Sequence, residues 1–159
     1  MRPLIAVIGG SSPTQEEASL AEDVGRALGE TGAVLVCGGR GGVMEAACRG
    51  AKGAGGVTVG ILPGPDPSDA NAYVDIPVAT GIGEARNAII ARTADVAIAV
   101  GGSYGTLSEI GFALSFGTPV IGLRTWMVER EGHSPVPIVR AETAEEAVEQ
   151  ALARFRRGT

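Results

Sequence analysis

Lysine, histidine, tryptophan and cysteine are nearly missing from this chain, and each scarcity closes off a class of chemistry. Among 159 residues there are one lysine (Lys52), one histidine (His133), one tryptophan (Trp126) and two cysteines (Cys37 and Cys48). Two thiols cannot build the disulfide framework of a small secreted domain, and these two lack the paired spacing of a zinc site. Both are expected to be buried and reduced, and no metal is expected. His133 has no motif around it and reads as a loop residue rather than a base. Lys52 lies in "RGAKGAGG", the fraying end of a helix pattern, so Schiff-base chemistry with a carbonyl cofactor has no well-placed amine. Long apolar runs are missing as well. Nothing approaches the ~20 residues that span a bilayer, and "LIAVI" (4–8) is too short for a signal-peptide core. The net charge of −5 disfavours duplex nucleic acid, whose binders need a basic face. These absences describe a cytoplasmic protein with neither nucleic acid nor membrane as a partner.

What the chain does have is apolar residues, 45% of the total, and 25 glycines. Short runs rich in β-branched residues fall at 4–8, 33–37, 57–62, 73–78, 95–100, 119–123 and 137–139. Most are continuously apolar, as strands covered on both faces are. Helix patterns occupy roughly 14–30, 42–53, 84–94, 106–117 and 143–156 between them. The alternation predicts an α/β fold, a doubly wound and mainly parallel sheet of about seven strands with helices on both faces. Residues 1–159 are expected to form a single domain. Ser12 is the expected cap of the first helix, with Pro13 at its first position and Gly32 as its stop.

In a right-handed parallel sheet, every strand-to-helix turn lies on one edge. "GGSSPT" (9–14), "GGRGGVME" (38–45) and "GGSYGT" (101–106) are three such turns, each opening on paired glycines. The helix beginning near Gly83 has its N-terminus on the same edge. Four helix N-termini with unpaired N–H groups therefore converge, and such termini attract anions. A phosphate site is the sharper reading, and economical turns are the plainer one. The glycine spacing matches neither G-x-G-x-x-G nor a P-loop, so NAD or ATP in the usual pose is disfavoured. The ligand-binding candidates are Gly9, Gly10, Ser11, Gly39, Arg40, Gly41, Gly42, Arg86, Asn87, Gly101, Gly102, Ser103, Tyr104, Gly105 and Thr106.

Arg86 sits in the first turn of its helix, where a cation opposes the helix dipole, so a phosphate or carboxylate partner suggests itself. The plain alternative is a surface arginine, since arginine is this chain's ordinary cation. Arg40 either holds a phosphate or points to solvent. Ser103, Tyr104 and Asn87 are equally at home as turn residues. Glu109 is the one charge in "TLSEIGFALSFG" (106–117). Thr106-Leu107-Ser108-Glu109 fits a capping box, in which Glu109 only closes a turn; the alternative is a catalytic carboxylate. The same helix is apolar around its circumference, which predicts cover from a second subunit, hence a homodimer or higher homo-oligomer.

"VIGGSS", "CGGRGGVMEAA", "ARNAIIARTADVAIAVGGSYGTLSEI" and "GTPVIGL" together resemble the Lonely Guy / molybdenum-cofactor-carrier superfamily. The resemblance covers nearly the whole chain and implies a Rossmann-like fold, an oligomer and a phosphorylated small-molecule ligand. Its Lonely Guy branch cleaves nucleoside 5′-monophosphates to free base and ribose 5-phosphate, an N-glycosidic hydrolysis needing no cofactor. There an arginine and the glutamate of P-G-G-x-G-T-x-x-E act at the ribose, and Arg86 and Glu109 match them by position. This chain has Val100 where the hydrolases have proline, Ser103 and Tyr104 where they have one residue, and Asn87 where they have lysine. The G-G-x-x-G-T spacing and "ARN" are closer to the molybdenum-cofactor-carrier branch. That resemblance implies a binding protein for the molybdenum cofactor, a pterin monophosphate, or for an AMP-like nucleotide. An older family label, lysine decarboxylase, is rejected because Lys52 is remote from the glycine edge.

Overall fold

The unbroken apolar runs become the middle of a single sheet. The computed structural model describes residues 1–157. Its strands are β1 (Leu4–Gly9), β2 (Val34–Cys37), β3 (Val57–Leu62), β4 (Ile76–Ala79), β5 (Val96–Val100), β6 (Val120–Leu123) and β7 (Ile138–Arg140). They pair in the order β4-β3-β2-β1-β5-β6-β7, and every pair is parallel. The helices are α1 (Gln15–Thr31), α2 (Val43–Gly53), α3 (Arg86–Thr93), α4 (Tyr104–Ser115) and α5 (Ala144–Arg157). α1, α2 and α5 pack on one face, while α3 and α4 pack on the other. This is the doubly wound, Rossmann-like architecture that the alternating pattern predicts. Strand order reverses between β1 and β5, and the crevice beyond the carboxyl ends of strands at such a reversal is where open α/β sheets bind ligands.

α1 and α2 lie unusually close because glycine replaces side chain where they cross. A Cβ on Gly25 would stand 1.9 Å from Ala47 O, and one on Gly50 would stand 1.9 Å from Glu22 O. That contact fixes the start of α2, and with it the turn after β2.

Three local expectations give way to stronger interactions. α1 is capped by Thr14 rather than Ser12: the Glu17 N–H donates to Thr14 Oγ1 (3.1 Å) and the Thr14 N–H to Glu17 Oε2 (3.0 Å). That reciprocal pair satisfies two donors at once, which Gln15 and Ser12 do not. Tyr73–Asp75 leave the expected strand because Thr58 holds them in a turn. Its Oγ1 donates to Tyr73 O (2.6 Å) and accepts from the Asp75 N–H (2.9 Å). β4 is therefore short, and all four of its residues are exposed at the sheet edge, not covered on both faces.

The third change concerns the helix that carries Glu109. α4 starts at Tyr104 with Ser103 as its cap, and Thr106 Oγ1 accepts from the Ser103 N–H at 3.3 Å. Thr106 fills the role that the sequence pattern offers to Glu109. Glu109 lies a turn deeper, at 9% exposure.

Not all of α4 is covered by the rest of the chain. Ile110 and Ala113 are buried, whereas Ser108, Gly111, Phe112 and Ser115 face outward. Exposed apolar side chains on the same side of the sheet include Ile82, Ile89, Ile76 and Val78. Ile76 and Val78 share this side because they pair with Val59 and Ile61, which pack under α3 and α4.

Candidate functional site

Three turns and one helix start meet over the reversal between β1 and β5. After β1, the Gly10 carbonyl accepts from the Val43 N–H at 3.0 Å, so the first turn is fastened to the start of α2. After β2, Gly42 takes φ +71, and a Cβ there would stand 2.4 Å from Gly10 O. Glycine is needed because the two turns touch. Asn71 secures the outer part of the second turn: its N–H donates to Gly39 O (2.8 Å) and its Nδ2 to Arg40 O (2.8 Å). After β5, Gly101 and Gly102 have φ +52 and +120 and release the chain into α4.

Arg86 joins these parts. It is only 6% exposed, and its Nη1 donates to Gly38 O and Ile61 O, each at 2.5 Å. Its Nε donates to Asn87 Oδ1 at 2.9 Å. The guanidinium thus bolts the start of α3 to β3 and to the turn after β2. Nη2 makes no hydrogen bond among the described residues and is the open end of the fork. Burial lowers the Arg86 pKa, while the nearby carboxylates of Glu84 and Glu109 hold it up. Arginine remains a cation even so.

A cavity of about 440 Å³ opens between these elements, a volume suited to a small ligand. Of the residues singled out from sequence, Gly9, Ser11, Arg40, Gly41, Arg86, Asn87, Ser103, Gly105, Thr106 and Glu109 line it. Gly10, Gly39, Gly42, Gly101, Gly102 and Tyr104 do not. The glycines among them shape the turns behind the wall. A Cβ on Gly39 would meet Leu62 and Gly60 at 2.9 and 3.0 Å, and one on Gly102 would meet Thr106 at 2.5 Å. Tyr104 points outward at 82% exposure and stacks on Trp126, with ring centroids 5.7 Å apart. Met44, Pro63 and Glu84 also line the cavity and escape the sequence reading. Met44 lies two residues after Gly42 and Glu84 two before Arg86, so proximity to a motif is the signal that exposes both. Pro63 gives no comparable signal.

The electrostatics of the cavity are mixed. α2 has no side-chain cap at its N-terminus, and Gly41 and Met44 bring that end to the wall. With Gly105 and Thr106 from the first turn of α4, it supplies N–H groups suited to an anion. Arg40 is an exposed cation on the same rim. Against these stand Glu84 and Glu109. Glu109 makes no hydrogen bond among the described residues, yet its oxygens keep access to the cavity. Burial pushes its carboxyl up to about 7, with Arg86 pulling the other way and Glu84 adding to the rise. A group divided between carboxylate and acid near neutral pH is able to accept from a ligand donor or give up a proton. Among the described residues no three His, Cys, Asp or Glu side chains are grouped to ligate a metal.

Residues 2–150 match the SLOG cluster4 family. The chain belongs to that family. An uncharacterised protein of Archaeoglobus fulgidus is 47% identical over 120 residues, covering 76% of this chain and 79% of that protein. Among solved structures, the molybdenum cofactor binding protein from Rippkaea orientalis is 35% identical, with a TM-score of 0.86 over 96% of this chain and 97% of its own. The molybdenum cofactor carrier protein from Chlamydomonas reinhardtii is 33% identical, with a TM-score of 0.81 over 96% of this chain and 99% of its own. The resemblance to molybdenum cofactor carriers suggested by the G-G-x-x-G-T spacing thus extends over the whole fold of this SLOG cluster4 member.

Proposed function

We propose that this protein is a carrier for the molybdenum cofactor or a closely related pterin monophosphate, gripped through its phosphate at the glycine edge. The observation that carries the reading is the meeting of uncapped α2, the first turn of α4 and Arg40 on one cavity, in a chain similar from end to end to proteins described as binding that cofactor. The chain's own residues fit such cargo. N–H groups and Arg40 face a phosphate, Met44 and Pro63 offer apolar wall, and Glu109 and Glu84 offer acceptors to hydroxyl donors. Arg86 acts in two ways: Nη2 is the charged contact for the anion, and Nη1 keeps the second turn in place. The carrier works in the cytoplasm as a homo-oligomer, with Ile76, Ile82, Ile89 and Phe112 as the surface a second subunit covers.

One observation favours a second reading, the hydrolysis of nucleoside 5′-monophosphates. Glu109 is free of capping duty, buried, and poised near neutrality beside Arg86. A carboxylate in that setting stabilises a developing ribosyl cation and orients water. Two measurements decide. Protein purified gently is denatured, and the released material is examined by mass, absorbance and phosphorus content; a phosphorylated pterin supports the carrier. Adenine release from AMP is then followed for wild type and Glu109→Gln. The expected outcome is no measurable release by wild type, and brisk release abolished in Glu109→Gln overturns the carrier reading.

A further inference from the structure

A second cavity, about 260 Å³, lies on the other side of the turn after β5 and is lined by Glu17, Gly101, Gly102, Arg124, Thr125 and Trp126. We infer that it receives the planar ring of the same phosphorylated ligand, with Trp126 as the stacking surface. The inference rests on the reading of the main cavity as a phosphate site.

The turn after β5 borders both cavities. Ser103 lines the main cavity, and its carbonyl accepts from Trp126 Nε1 at 3.0 Å. Gly102 lines the second cavity and is exposed, and the Thr106 side chain fills the space a Cβ there would take, so a ligand reaching both cavities lies over the turn rather than through it. A ligand lying across this turn follows the crevice at the reversal of strand order, as extended ligands do in open α/β sheets.

The chemistry of the second cavity points to a ring rather than a second anion. Both of its charged residues are already engaged. The Glu17 carboxylate accepts from the Thr14 N–H, and Arg124 pairs with Glu16. The remaining surface is glycine backbone, indole and Thr125, whose hydroxyl is already bonded to Gly101 O. That indole is held in place from several directions. Arg124 adopts φ +50, unusual for a residue with a side chain, which turns the loop back over the site. Thr125 Oγ1 donates to Gly101 O at 2.6 Å, the indole N–H is fixed by Ser103 O, and Tyr104 stacks on the ring. A tryptophan serving only as core would be closed off by its neighbours; Trp126 remains half-buried and borders the cavity. A fixed aromatic plate beside a phosphate site is a way to bind a heteroaromatic ring without selecting its edge.

Trp126 is the chain's one tryptophan, so its fluorescence reports the second cavity directly. The probes are GMP, whose ring shares the 2-amino-4-oxopyrimidine of a pterin, and ribose 5-phosphate, which has the phosphate and no ring. GMP is expected to quench Trp126 emission and saturate, while ribose 5-phosphate binds without quenching. By calorimetry GMP should bind about tenfold or more tightly than ribose 5-phosphate, the scale of one stacked base. That ratio should fall at least about fivefold in Trp126→Leu and be largely kept in Trp126→Phe. An unchanged ratio in Trp126→Leu, or equal quenching by both probes, overturns the inference. Equal affinity of the two probes for wild type removes the ring subsite and leaves the phosphate reading intact. Failure of both to bind removes the phosphate reading and this subsite with it. Should Trp126→Leu not fold, wild-type quenching and the Trp126→Phe ratio carry the decision.

Discussion

Replacing Glu109 by glutamine tests whether this carboxyl is buried and unpartnered or merely closes a helical turn. Burial raises its pKa from 4.5 to about 7 in the folded chain. In the unfolded chain it titrates at its ordinary value. Between those two pH values the folded state holds a proton that the unfolded state has released. Stability therefore falls as pH rises through this window, and it is greatest on the acid side. Integrating the two titrations from pH 5 to pH 8 gives a loss of about 2–3 kcal/mol attributable to Glu109 alone. Glutamine has the same shape and no charge to bury. The stability of Glu109→Gln minus that of wild type should then move by about 2–3 kcal/mol in the variant's favour across this range. The measurement is urea unfolding of both proteins at fixed protein concentration, at intervals from pH 5 to 8. Taking the difference cancels the titrating groups that do not interact with Glu109. A helix-capping carboxylate gives the opposite sign, because N-terminal N–H groups favour its ionised form and acid removes that stabilisation. A difference that is flat with pH, or that moves against the variant as pH rises, refutes the reasoning.

The other residues divide into those that shape the site and those that face a ligand. Arg86→Ala should destabilise the fold by about 2–4 kcal/mol in urea unfolding, because Gly38 O and Ile61 O lose a shared buried donor. Arg40→Gln should leave stability within about 0.5 kcal/mol and weaken ribose 5-phosphate binding about tenfold by calorimetry, with little effect on free ribose. Gly42→Ala should cost at least about 2 kcal/mol, since its Cβ would be driven against Gly10 O; soluble yield and unfolding midpoint read this out. Wild type should scatter light as a dimer or larger at micromolar concentration, and Ile89→Asp combined with Ile76→Lys should scatter as a monomer with unchanged circular dichroism.

Legibility in the sequence followed the range of the interactions involved. The β1, β2, β3, β5 and β6 runs were readable because a strand buried on both faces needs apolar residues at every position, whatever its neighbours are. β4 was misplaced because its start is set by Thr58, a residue on another strand, and no local pattern shows that bond. The glycine turns were readable as a group since paired glycines are rare outside positions that demand them. Their division of labour was not. Whether a glycine faces the cavity, like Gly9 and Gly41, or a neighbouring turn, like Gly42, depends on how closely α2 approaches β1.

Glu109 shows the limit most clearly. Two overlapping cap patterns exist in "SYGTLSE": Ser103 followed by Thr106, and Thr106 followed by Glu109. Local propensity favours the second, because glutamate is the commoner partner in a capping box. The fold selects the first because β5 ends at Val100, in register with Gly9 on β1, and the chain must turn at once through Gly101 and Gly102. Starting α4 at Tyr104 rotates Glu109 inward beside Arg86, where burial makes its charge costly and Arg86 offsets only part of that cost. A helix built on the second pattern would have left that carboxylate in solvent. The early start of α4, set by strand register, is thus what converts an ordinary glutamate into a group able to act on a bound ligand.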